Sequence, residues 1–189
     1  MRKKNIISEQ QTVASLSSLV KESDKGCVIL TATALEGLLG QIHEAFILTV
    51  FTGTTFPRKA YDSLFATYGP LSSFAAKTTI ALCYGLIGQD EYEGLNLVRG
   101  LRNEAAHCGF EFTLADKGVN AHVAKLGGLE RIKQTANIYR GGTFFAGLPE
   151  SKKDFVVNTY ALHHLLMEKL APTLESILEK RAKVGRKAP

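Results

Sequence analysis

Apolar residues in this chain return every three or four positions almost from end to end, and no one-in-two alternation lasts long enough to build a central strand. That spacing restricts the chain to helices packed on helices, and it predicts an all-α, single-domain bundle of about six to eight helices. With 189 residues, 45% of them hydrophobic and 22% charged, the chain can bury one sizeable core without metal or disulfide. Disorder is excluded as its main state. Cys27, Cys83 and Cys108 are odd in number and include no Cys-x-x-Cys pair, so neither a disulfide framework nor a zinc knuckle is readable and a reducing cytosol fits. Charge-free stretches such as Ala45 to Pro57 and Phe155 to Met167 fall short of the roughly 20 apolar residues of a membrane span. The basic Met1 to Lys4 is followed by no apolar signal core. The expectation is a cytoplasmic protein with no membrane contact.

The elements follow from spacing and punctuation. A first amphipathic helix is expected over about Glu9 to Val20. Ser23 and Asp24 then start a long spine helix carrying Val28, Leu35, Leu38, Leu39, Ile42, Phe46 and Ile47, closed by Gly53 and Pro57. A short helix from Arg58 to Ala66 leads to the Tyr68-Gly69-Pro70 turn, and Ser72 or Ser73 caps a helix reaching Leu86, with Gly88 as its left-handed C-cap. The next helix begins near Asp90-Glu91 and stops at Gly109. Residues 9–109 are the most regular part, and 110–151, rich in glycine, reads as looser with one or two short helices. A long final helix over 152–183 contains Pro172, an expected kink.

A net charge of +5 raises the question of nucleic acid, and its distribution answers it. Residues 1–4 carry +3 and residues 179–189 carry +4, which leaves −2 for everything between. The excess lies in two solvated tails, apart from one internal run, Lys125, Arg131, Lys133, Arg140, Lys152 and Lys153, set against Glu130 and Glu150. DNA contact is therefore expected to be weak or indirect.

One helix carries chemical information. At about 100° per residue, Leu97, Val98, Leu101, Ala105 and Cys108 form a buried stripe. Opposite them Arg99, Asn103 and His107 stand in one row, flanked by Arg102 and Glu104. A cation, an amide and an imidazole in a row suit an anion, a phosphodiester or a polar dimer interface. Arg102 to His107 also matches an Arg-x4-His spacing and resembles the motif of HEPN domains, helical bundles that dimerise so that Arg and His of both subunits share a cleft, some of them cleaving RNA. That resemblance implies His107 as acid or base, Arg102 stabilising transition-state charge and Asn103 orienting the phosphate. The alternative is structural: Arg102 and Glu104 in surface ion pairs, Asn103 and His107 closing a non-catalytic interface.

Four ordered blocks carry a second resemblance. They are Glu22-Ser23-Asp24-Lys25-Gly26-Cys27-Val28-Ile29-Leu30, the run from Tyr68 to Lys77, Tyr84-Gly85-Leu86-Ile87, and Leu97 to His107. Together they resemble the mannitol operon repressor family over about Glu22 to Cys108. Lys25 stands where that family usually has Arg. The resemblance implies a bacterial all-helical transcription regulator and does not imply a DNA-reading helix, so repression through a protein partner, a regulatory or transport-system component, is at least as plausible as direct operator binding, and the polar row together with the HEPN resemblance leads to the expectation of a homodimer or higher oligomer. No helix-turn-helix face is found in the residues themselves. Glu22 and Asp24 are expected to satisfy amides or to pair with Arg99 or Arg102. His163 and His164 are about 100° apart on one helix, and His43 and His122 lack ligand-spaced neighbours, so no metal is expected. No cofactor is expected either. The readings to be weighed are a non-enzymatic regulator, a HEPN-like ribonuclease using Arg102, Asn103 and His107, and a structural interaction module.

Overall fold

The computed structural model describes residues 18–50, 57–109, 111–142, 145 and 147–185, with side chains described up to 172 except at Arg58. Seven helices make up most of these residues: α1 (Asp24–Val50), α2 (Arg58–Phe65), α3 (Phe74–Cys83), α4 (Gln89–His107), α5 (Lys117–Gly128), α6 (Glu130–Tyr139) and α7 (Glu150–Gly185). No strand occurs among the described residues, so the molecule is an all-α bundle. The helix expected over 9–20 lies almost wholly outside them.

The spine α1 buries Cys27, Val28, Ala32, Leu35, Leu39 and Ile42 against α7 and α4, whose own inward faces are Phe155, Val157, Leu162 and Leu166, and Leu95, Val98, Leu101 and Ala105. By length and composition alone α1 could cross a membrane, with a mean hydropathy of 1.2 over its most apolar stretch. Half of that stretch is covered by the rest of the bundle, while Leu30, Leu48 and Val50 of the same helix stay exposed.

Several element boundaries depart from expectation for identifiable reasons. Helix α3 ends at Cys83 and not at Leu86, because Gly85 takes the left-handed turn (φ 65°) that a side chain would resist. Gly88 is then not a C-cap. It is the extended N-cap of α4, and its N–H donates to the Glu91 carboxylate at 3.0 Å. Cys108, expected on the buried stripe, is exposed, because the backbone leaves the helical path after His107 (φ −64°, ψ 140°) and the 100° projection no longer applies. Leu97 is only half-buried. The glycine-rich stretch is tighter than its composition suggests: α5 and α6 are separated by Leu129 alone, and Phe112, Leu114, Val119, Leu126, Ile132 and Phe145 join the core. Close approach of α4 to this part depends on Gly94, where an added Cβ would lie 2.7 Å from Ile132 Cδ1 and 3.3 Å from both Leu126 and Leu162. The last helix continues through Pro172 without interruption.

Candidate functional site

Three polar nodes fix the helices relative to one another, and they claim many of the residues with functional potential. The first lies where α1 begins. Ser23 Oγ accepts the Gly26 N–H at 3.1 Å. The Asp24 carboxylate accepts from Leu114 N–H at 3.0 Å and Thr113 Oγ1 at 3.2 Å and lies 3.6 Å from Lys152 Nζ. Lys152, buried near the start of α7, also donates to the Glu22 carbonyl. Lys25 Nζ donates to the carbonyls of Cys108 at 2.8 Å and Gly109 at 3.0 Å, a cation on the open C-terminus of α4. Cys27, fully enclosed beneath this node, has its thiol pKa raised to about 11 by burial, against the opposing pull of Lys152.

The expected pairing of Glu22 or Asp24 with Arg99 or Arg102 is not what forms. The start of α1 meets the very end of α4, and Arg102 lies about a turn and a half before that end. Arg102 instead reaches Glu36, deeper along α1, at 3.0 Å, while Lys77 of α3 takes the other carboxylate oxygen at 2.8 Å. Glu36 thus ties α1, α3 and α4 together. Beneath it His43, buried, places Nε2 2.8 Å from the Lys77 carbonyl, and burial holds its pKa below the ordinary imidazole value. The third node is Glu91, with no exposed surface, which caps α4 and takes the Arg131 guanidinium, while Asp90 accepts the Arg131 N–H at 2.8 Å.

These nodes dissolve the internal basic run. Arg131 is bound to Glu91, Arg140 lies 2.6 Å from Asp154 and 3.8 Å from Glu150, and Lys152 is buried on Asp24. Lys125 and Lys133 remain as exposed cations of α5 and α6 and Lys153 as a half-buried one on α7, too few for a phosphate-tracking face.

What stays open is the outer face of α4. Glu93, Gly100, Asn103 and His107 are exposed and Asn96 is half-buried. The half-buried Arg99 donates to Asn96 Oδ1 through Nε at 3.4 Å and Nη2 at 3.3 Å, so it is steadied along the face. Glu104, on the flank, lies 3.9 Å from His122 Nδ1 of α5. The row Arg99, Asn103, His107 is therefore assembled as the spacing predicts. Arg102 and His107 are not brought to a common point within the subunit: five residues separate them by about 140° around the axis, and Arg102 is turned onto Glu36. Beside the row, a groove of about 620 Å³ between α4 and α5 is lined by Tyr92, Asn96, Leu97, Gly100, His122 and Leu129 among others. A second cleft of about 530 Å³ lies between α1, α2 and α3, with Gly37, Gly40, Tyr61, Phe65 and Lys77 on its walls. There burial and the Glu44 carboxylate bonded to its hydroxyl push the Tyr61 phenol pKa up. Among the described residues no cluster of His, Cys, Asp and Glu has the makings of a metal site.

Spacing found the α4 row but missed Glu36, Lys77, Lys152 and His122. Their partners lie 41 or more residues away along the chain, except for the His122–Glu104 contact, and no local pattern marks such a pair.

Fold and site together define an all-α bundle in which Glu93, Gly100, Asn103 and His107 of α4 are exposed among the described residues. A scan against protein-family models and a search of curated proteins gave no match. Among solved structures, the X-ray structure of the MtlR–HPr complex from Escherichia coli contains a chain with the same fold, at a TM-score of 0.56 and 18% identity, covering 84% of this chain and 98% of that one.

Proposed function

We propose that this protein is a non-enzymatic regulator of the mannitol operon repressor type, working as a single-domain protein through contacts made by the outer face of α4. The observation that carries the reading is that face: Arg99, Asn103 and His107 stand in one row on a rigid, internally braced helix, with Arg99 held by Asn96 and no described element covering them. The likeness in fold to a chain solved in complex with HPr supports a protein of that kind as the partner. Direct DNA contact is confined in this reading to the basic tails, because Arg131, Arg140 and Lys152 of the internal run are held by Glu91, Asp154 and Asp24. The protein should co-elute with HPr in gel filtration at micromolar concentrations, and removing residues 1–4 and 180–189 should not abolish that complex. Failure to co-elute, or complex formation dependent on the tails alone, would count against the proposal.

A ribonuclease reading rests on the Arg-x4-His spacing. Arg102 is engaged by Glu36 and points away from His107, which argues for structural work. Incubation with mixed-sequence RNA should yield no product above a His107→Ala control, since loss of a general acid or base typically costs about 10² to 10⁴ in rate. A His107-dependent product ladder would make the protein a nuclease.

A further inference from the structure

The cleft between α1, α2 and α3 takes no part in the reading above, and none of its lining residues belongs to α4. Its floor is the outer side of α1 at Gly37 and Gly40. Glycine is a poor residue for a helix interior, and a Cβ at either position would meet nothing within 4 Å, so no packing contact demands them. What the two glycines do is keep a trough open along α1. The resulting cavity, about 530 Å³, is of the size that takes a small molecule. Across the trough stands α2, where Tyr61 and Phe65, one turn apart, hold their rings 5.5 Å from each other and inclined by 37° short of a right angle's remainder, at 50°. Inclined rings make a notch, and the negative potential of aromatic faces favours a cation in it.

Carboxylates add to that preference. Glu36, Glu44 and Asp62 line the cleft against a single lining cation, Lys77, which Glu36 already holds at 2.8 Å. Arg102 takes the other Glu36 oxygen, so this end of the cleft is balanced. Glu44 lies about 12 Å further along α1 by helical rise. It accepts the Tyr61 hydroxyl, a neutral donor that cancels none of its charge, and Asp62 adds a second negative charge beside the same phenol. An anion would meet three carboxylates here. A bare metal ion is no better suited, since among the described residues no three His, Cys, Asp or Glu side chains are grouped to ligate one. An organic cation with a slender stem satisfies the whole cleft, its head pairing with carboxylate and ring while the stem fills the trough. We propose that this cleft binds an alkylammonium ion, its head held by Glu44, Asp62, Tyr61 and Phe65 and its methylene stem lying over Gly37 and Gly40.

The test is calorimetric titration of the full chain in phosphate buffer, because amine buffers carry the same head group as the ligand. The probe is cadaverine. Saturable binding at one site is expected, and the corresponding pentanediol, equal in length and uncharged, should bind about tenfold more weakly or worse. Glu44→Gln keeps an oxygen to accept the Tyr61 hydroxyl and removes the charge, so it should weaken cadaverine about tenfold without lowering the melting temperature. Gly37→Leu fills the trough with a better helix former, and should abolish binding while leaving the fold at least as stable. No saturable heat up to about 10 mM cadaverine, equal binding of the diol, or binding indifferent to both substitutions would overturn the site. Nα-acetyl-lysine methylamide presents the same head and stem as a lysine side chain of another protein. Tighter binding of this probe than of cadaverine marks a protein-borne ammonium as the source, and the reverse order marks a free amine. HPr binding is scored separately. A chain that binds HPr and ignores cadaverine loses this site and keeps the functional reading, and the reverse result does the opposite.

Discussion

Single residues in this protein act chiefly by holding helices together. Glu36 answers two cations, and replacing it by Gln leaves Lys77, whose side chain is 13% exposed, without its counter-ion. Glu36→Gln should cost about 1–3 kcal/mol and lower the melting temperature without changing the helical content, read by circular dichroism. A buried and a half-buried imidazole make stability depend on pH. Burial holds His43 and His163 below the ordinary value of 6.5, so as the pH falls the unfolded chain takes up protons first. Their contribution is complete above that value and is lost as pH drops through it toward the lower folded values. Melting temperature should therefore fall on acidification from about pH 7.5 to 5.5, and less steeply in His43→Gln, whose amide can still donate to the Lys77 carbonyl. An unchanged slope would remove His43 from the account. At this scale the sequence is least legible: Arg102 looks like half of an Arg-x4-His pair, and its contact with Glu36, 66 residues away, is marked by no local pattern.

At the scale of elements sequence and structure agree more closely, because helix starts are written locally. Ser73 does cap α3, its oxygen accepting the Ala76 N–H at 3.1 Å, and Asp90 and Glu91 do open α4. Helix ends are harder to place where two glycines compete within four residues, since Gly85 and Gly88 look alike in sequence and differ only in φ. The two glycines of α4 give a paired prediction. Gly94→Val should destabilise by about 1–3 kcal/mol because Ile132 and its neighbours have no room to yield, while Gly100→Ala should stabilise the fold by about 0.5–1 kcal/mol in urea denaturation. Equal effects at both positions would show that α4 is not packed as described. Thiol labelling checks the same register: Cys83 and Cys108 should react with Ellman's reagent in the folded state and Cys27 should not.

For the whole molecule, the helical period without any strand-like alternation is enough to give an all-α bundle, since helical stripes with no sheet to cover them bury against other helices. It does not show how tightly 112–145 closes on the core, because there the packing surface comes from isolated residues such as Phe112, Leu114 and Phe145. The candidate site is legible to the extent that it lies on one helix. Arg99, Asn103 and His107 fall together by period alone, but the ion pairs that tie α4 and its neighbours, through Glu36, Lys77 and Lys152, come from three other helices. The central claim is that the uncovered face of α4 binds a partner protein. Isothermal titration of HPr into the native chain and into Asn103→Arg, with Lys133→Glu on α6 as a control away from that face, tests it most directly. The account predicts saturable binding to the native chain and to the α6 variant, weakened at least tenfold by Asn103→Arg. No heat of binding to the native chain, or binding indifferent to Asn103→Arg, would contradict it.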